Sequence, residues 1–271
     1  MKTRLTTAAV GVPLIVIILF VLPKIFAAIA FAAAAAIGAY ELLWRTKLLK
    51  HPRLLVYSCV AAAAVCFWSY CKMQYTFGIL IFLLFTVALF AEVLASGGKL
   101  RLEKIGICYF AGLIVPYLLS AVVRILTFAN GRFLVVFPFI LSFLVDVGAY
   151  LVGMRFGKHK LAPVISPKKT WEGVSGSLTA GVAGMLLYCL ILQVGFQFEV
   201  NYFYAVLYGM IGAAASVFGD LIFSVIKRQV GIKDYGTILP GHGGIMDRFD
   251  SMVIVAPLVE VLLVQLPVVM K

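Results

Sequence analysis

The sequence predicts an all-α fold: a polytopic integral membrane protein of about nine transmembrane helices. Three observations carry this. Hydrophobic residues make up 63% of the chain and charged ones 13%, whereas a soluble domain is roughly half apolar and about a quarter charged. The mean hydropathy is +1.09. Apolar runs close to the ~20 residues that a helix needs to cross ~30 Å of hydrocarbon recur from end to end.

The first span is expected at about 6–22, behind Lys2 and Arg4. No A-x-A pattern closes it, so it reads as a span and not as a cleaved signal peptide. Pro23-Lys24 joins it tightly to the second, 25–44, whose run Ala32–Ala36 suits close helix packing. Spans at 54–71, 76–95 and 105–122 complete an N-terminal region, 1–130. Spans at 133–154, 174–196, 203–226 and 251–270 make a C-terminal region, 131–271, broken by polar loops at 155–173 and 227–250.

All 23 Lys and Arg except Lys24, Lys72, Arg124, Arg132 and Lys271 fall at the N-terminus or after even-numbered spans. The positive-inside rule places those loops and the N-terminus in the cytoplasm and the C-terminus outside. The formal charge of +12 is then a cytoplasmic-face charge. It attracts anionic head groups and nucleotides by ~1 kcal/mol per basic residue, although ordinary topology signals produce it too. No nucleic-acid partner is expected. The five cysteines show no C-x-x-C spacing and lie in or at the ends of apolar runs, as small packing residues do. Cysteine and histidine never cluster, which argues against zinc.

Two aspartates fall inside predicted spans. Asp146 and Asp220 sit about eight and six residues from cytoplasmic ends, or ~12 and ~9 Å deep at ~1.5 Å per residue. An ionised carboxylate at mid-helix costs ~2.5–3.5 kcal/mol, so each needs a partner, an ion or a wet cavity. Asp146, Tyr150 and Gly153 share one helix face, and so do Asp220, Ser224 and Lys227. An Asp220–Lys227 pair that only neutralises the span is the blander alternative. Glu41 and Glu92 read as acids reaching the interface, and Glu260 as an inward-facing one.

The loop at 155–173 carries Lys158, Lys160, Lys168, Lys169 and Thr170, donors suited to phosphate, without Walker A spacing. A solvated, lipid-facing loop is the other reading. In the loop at 227–250, Gly241, Gly243 and Gly244 flank His242, so the backbone is expected to turn sharply and offer N–H groups to an anion. His242 suits a phosphate donor or a loop organiser. Asp247 and Asp250, three apart, suit a Mg²⁺ ion that also binds substrate phosphates.

The polar positions Ser224, Lys227, Arg228, Lys233, Asp234, Pro240, His242, Gly243, Gly244, Asp247, Arg248 and Asp250 resemble, without a gap, the signature of the phosphatidate cytidylyltransferases (CDP-diacylglycerol synthases). Asp146-x-Gly148-Ala149-Tyr150, Ser166–Gly173 and Gly219-Asp220-Leu221 are similar too. The resemblance covers roughly the C-terminal half. One departure is Phe223, where many members carry an acid before the signature Ser.

The resemblance implies CMP transfer from CTP to phosphatidic acid, giving CDP-diacylglycerol and pyrophosphate, at a cytoplasm-facing site in a bacterial cytoplasmic membrane. It implies Asp220, Asp247 and Lys227 as catalytic residues, with Mg²⁺ on Asp220 and Asp247 and room for a second, monovalent cation. Substrate contacts are then expected from Asp146, Tyr150, Lys168, Lys169, Thr170, Ser224, Arg228, Lys233, Asp234, His242, Gly243, Gly244, Arg248 and Asp250. Membrane lipid is the surrounding partner, and the family points to a homodimer. A CTP-dependent polyprenol or lipid kinase is the enzymatic rival, with attack at the γ-phosphorus. An anionic-solute transporter would instead show repeated broken spans with charge at the midplane. The charge here gathers at one face.

Overall fold

The computed structural model describes residues 9, 11, 13–71, 75–238, 241 and 243–270. Among them seven helices are long and apolar enough to span a bilayer. They are α1 (Lys24–Arg45), α2 (Pro52–Cys71), α3 (Tyr75–Ala95), α4 (Leu102–Leu126), α5 (Gly131–Phe156), α6 (Trp171–Phe196) and α7 (Tyr202–Gln229). The protein is an all-α polytopic membrane protein. Two smaller helices follow, α8 (Met246–Phe249) and α9 (Met252–Gln265). Four short strands complete the order: β1 (Lys160–Ala162), β2 (Ser166–Thr170), β3 (Glu199–Val200) and β4 (Val269–Met270).

Two expected spans are not among these seven. The first, at 6–22, falls partly outside the described residues, and its described end closes in a π-helical turn, Ile17–Val21. The ninth is helical only over the 14 residues of α9, about 21 Å and too short to cross alone. Leu266 precedes Pro267, which disfavours helical backbone at the residue before it, and its φ of −135° and ψ of 70° lie outside the helical region.

The chain divides into two compact units. The first comprises residues up to Arg132 with Gln229–Phe249, and the second Phe133–Arg228 with the residues from Asp250 onward. In the first, α1 packs along α2, and Ala27, Ala28, Ala35 and Ala62 are fully or almost fully buried. Small side chains let the backbones approach where lipid supplies no hydrophobic drive. Arg132 donates to the Phe20 and Leu22 carbonyls at 2.5 and 3.0 Å, satisfying acceptors left by the end of the π turn. α3 is the least buried span; Phe77, Leu80, Phe82, Leu84 and Val87 on it are exposed, as a lipid-facing helix requires.

In the second unit α5 and α6 pack most closely. A Cβ on Gly148 would overlap Ala180 and the Gly176 carbonyl, so the close approach needs glycine at this crossing. The polar loop between them is a hairpin, β1 against β2 with Lys160 opposite Thr170. Pro167 is tolerated because a two-stranded sheet has only edge strands. Glu172 fixes the hairpin's base: it accepts the Lys158 and His159 backbone N–H groups at 3.1 and 3.3 Å and meets His159 Nδ1 at 2.6 Å.

The C-terminal segment runs antiparallel to α7. Ser251 packs on Gly219 at one end, and at the other Asn201 N–H donates to the Val268 carbonyl at 2.9 Å and β3 pairs with β4. From Asn201 to Gly219 is about 27 Å of helix. α9 and the extended residues after it therefore cover the depth that a full helix was expected to cover. The free cysteines Cys66, Cys108 and Cys189 are buried packing residues.

Candidate active site

Six residues singled out in the sequence line one cavity of about 210 Å³ in the second unit: Asp146, Tyr150, Lys168, Lys169, Thr170 and Asp220. Three elements bring them together. α5 supplies Asp146 and Tyr150 from one face, β2 supplies Lys168 and Lys169, and α7 supplies Asp220. The glycine-mediated approach of α6 to α5 holds β2, which runs directly into α6, over the face that carries Asp146.

Within it, Lys169 Nζ lies 2.5 Å from Asp220 Oδ2. The same ammonium reaches the Val217 carbonyl at 3.4 Å. Behind Asp220, the Ser224 hydroxyl donates to Oδ1 at 3.3 Å. The helix-face reading of Asp220 and Ser224 is thus a real hydrogen bond. Asp220 takes its ammonium from Lys169, whereas Lys227 meets Asp250 Oδ2 at 3.7 Å. The sequence reading weighed neither Lys169 as a partner of Asp220 nor Asp250 as a partner of Lys227. Lys227 and Asp250 are both buried, and Asp250 also accepts the Ser251 N–H at 2.8 Å. Separating such a pair leaves a buried charge uncompensated, which is far costlier than losing an exposed contact.

Thr170 has a structural duty. Its hydroxyl accepts the Gly173 N–H at 3.1 Å as the N-cap of α6, and the residue is buried. Arg228 Nε donates to the Ile165 carbonyl at 3.1 Å, tying the end of α7 to the hairpin turn. Phe223, the departure from the familiar signature, is almost fully buried.

Lys233, Asp234, Gly243, Gly244, Asp247 and Arg248 belong to the first unit. Lys233, Asp234 and Arg248 are exposed. His242 lies outside the described residues. Asp247 is buried, and its Oδ2 accepts the Tyr235 N–H at 2.8 Å and the Gly244 N–H at 2.9 Å. Gly244 N–H, expected to face an anion, is turned inward onto this carboxylate. Glu41 accepts the next two N–H groups, Ile245 at 3.1 Å and Met246 at 2.8 Å. Glu41 is fully buried, and the sequence reading underrated it. The signal was present: an acid in an apolar span needs a partner.

The donor set suits a hard cation. Asp146 and Asp220 offer carboxylate oxygens to one cavity, and Mg²⁺ binds through one or two carboxylates, substrate phosphates and retained waters. Among the described residues no group of three or more His, Cys, Asp or Glu is arranged as a full metal cage.

A polytopic helical membrane protein with carboxylates and lysines around one cavity has the parts to handle a phosphorylated substrate. The chain matches the cytidylyltransferase family over residues 2–266 and belongs to it. It is 43% identical over 139 residues to a phosphatidate cytidylyltransferase of Staphylococcus epidermidis, covering 51% of this chain and 52% of that one. It is 42% identical over 140 residues to that of Staphylococcus saprophyticus, covering 52% of each. For that of Staphylococcus aureus the values are 43% over 139 residues, 51% and 52%. The chain thus spans about half the length of the curated relatives it matches.

Proposed function

We propose that the protein transfers CMP from CTP to phosphatidic acid, releasing pyrophosphate and forming CDP-diacylglycerol in the membrane. The observation that carries this reading is the cavity in which Lys168, Lys169, Asp146 and Asp220 converge. Family membership and the names of the staphylococcal relatives support it.

Two polyanions must meet for this reaction. A phosphate oxygen of phosphatidic acid attacks the α-phosphorus of CTP, and the bond to the β-phosphate breaks with its electron pair leaving on pyrophosphate. The attacking monoester is already ionised near neutral pH, so no general base is required. Positioning and charge neutralisation carry such chemistry. Lys168 and Lys169 supply the cationic contacts on the hairpin side, and Lys227, Arg228, Lys233 and Arg248 are the further candidates. Asp146 and Asp220 would hold Mg²⁺, with Asp247 as a further candidate ligand; the bound ion would neutralise the CTP phosphates. Tyr150, 65% exposed, presents a hydroxyl at the rim of the cavity.

The site is proposed to face the cytoplasm, with the N-terminus inside and the C-terminus outside. Pairing of β3 with β4 supports the last point, since it sets the C-terminal segment beside the loop between α6 and α7.

The position of label in CTP tests the reaction. With phosphatidic acid in lipid vesicles, α-phosphorus label is expected in the lipid and γ-phosphorus label in pyrophosphate. Label from the γ position in the lipid would make the protein a lipid kinase instead.

A further inference from the structure

The described residues between Tyr235 and Phe249 are held by α1 through a row of contacts within one unit. Phe31 meets Phe249 with ring centroids 5.8 Å apart. A Cβ on Gly38 would lie 3.4 Å from the Met246 sulfur. Glu41 accepts the Ile245 and Met246 N–H groups, and Arg45 Nη2 donates to Thr237 Oγ1 at 3.0 Å. These four α1 residues follow one another along the helix at spacings of seven, three and four, so one face makes every contact.

The centre of the row is the Glu41 carboxylate. Gly236 and Gly244 both pack against it, and a Cβ on either would overlap its oxygens. Gly236 and Gly244 thus leave room for a buried carboxylate that arrives from about 200 residues away. With Asp247 taking the Tyr235 and Gly244 N–H groups, two carboxylates bind four backbone donors of one loop. A carboxylate accepts from several N–H groups at once, and such charge-assisted bonds are stronger than neutral ones.

We propose that Glu41 is a positioning residue: its carboxylate, with that of Asp247, fixes the backbone at Tyr235–Gly236 and Gly244–Met246, and so the placement of Asp247 and Arg248, both candidates for nucleotide binding. The role rests on the cytidylyltransferase reading for its catalytic consequence, but the clamp itself does not. Glutamine at this position keeps the shape, yet turns one acceptor into a donor facing an N–H group.

The test uses the full-length protein in lipid nanodiscs. Glu41→Gln is expected to raise the KM for CTP at least about tenfold, the scale of a lost hydrogen bond to a charged group, with the KM for phosphatidic acid unchanged. Hydrogen exchange of the 243–247 amides is expected to quicken in the same variant, a readout that needs no activity. Gly244→Ala, which forces a methyl onto the carboxylate, should lose activity, and Glu41→Asp in the same chain should recover part of it by shortening the acid. Rescue by Glu41→Asp is decisive even where Glu41→Gln fails to fold. Unchanged exchange in folded Glu41→Gln, or Gly244→Ala not relieved by Glu41→Asp, would overturn the clamp. A parent with no cytidylyl transfer but with exchange sensitive to Glu41→Gln would instead overturn the functional reading and leave the clamp standing.

Discussion

Lys169 and Asp220 meet at 2.5 Å, although one stands on a strand of a polar hairpin and the other within a transmembrane helix. The side chains keep 21% and 26% of their surface exposed, so the pair opens into the cavity and is not sealed in a core. Partly exposed ion pairs contribute little to stability, about 0–1 kcal/mol. A pair that stabilises little and faces a phosphate-sized cavity is better explained by ligand handling.

Replacing Lys169 by Met is therefore expected to lower kcat/KM for CTP at least about tenfold, the scale of one charge-assisted contact, while the thermal midpoint moves little. Initial rates and a melting curve on the same preparation check this. Equal activity would remove Lys169 from the site.

Thr170 is expected to separate capping from substrate contact. Thr170→Ala loses the hydroxyl that accepts the Gly173 N–H and should cost about 0.5–2 kcal/mol of stability. Thr170→Ser should keep it. If Thr170→Ala lowers kcat without lowering the melting temperature, the hydroxyl serves the substrate and not the helix.

The α5–α6 crossing offers a matched pair of glycines. Gly148→Ala puts a methyl into Ala180 and the Gly176 carbonyl, whereas a Cβ on Gly195 of the same unit meets nothing within 4 Å. Overpacking typically costs about 1–3 kcal/mol. Gly148→Ala is expected to melt earlier and to lose activity as Asp146 shifts from the cavity; Gly195→Ala should match the parent in both. Equal behaviour of the two variants would contradict the packing account.

Topology has its own check. A reporter fused after Lys271 is expected to read extracytoplasmic, and one inserted near Lys160 cytoplasmic. Agreement between the two reporters would mean that the segment after Ser251 does not reach the opposite face.

The spans and the cavity residues were legible in the sequence for a physical reason. Hydropathy is a sum over neighbours in the chain, and an aspartate inside an apolar run stands out against it, as Asp146 and Asp220 do. The hairpin at Lys160–Thr170 was not legible. Its strands, KLA and SPKKT, are too short and too polar to show period-two alternation. Glu41 was misjudged because its partners, Ile245 and Met246, lie more than 200 positions away, and periodicity carries no such information. For Asp220, the sequence correctly demanded a partner but could not show Lys169, which stands on a different element. The ninth span was over-read as helix because hydropathy does not register that Pro267 ends α9 two residues earlier.

The central claim is that the Asp220 carboxylate is the charged heart of the catalytic centre. Its most direct test is the turnover of Asp220→Asn in vesicles with α-labelled CTP, phosphatidic acid and millimolar Mg²⁺, set beside the parent with and without chelator. Asn keeps the shape and can still take the Ser224 hydrogen bond, but it loses the charge. Folded, membrane-inserted Asp220→Asn is expected to put no label into lipid, and the parent to stop when Mg²⁺ is removed. Substantial labelling of lipid by Asp220→Asn, or undiminished turnover of the parent in excess chelator, would contradict it.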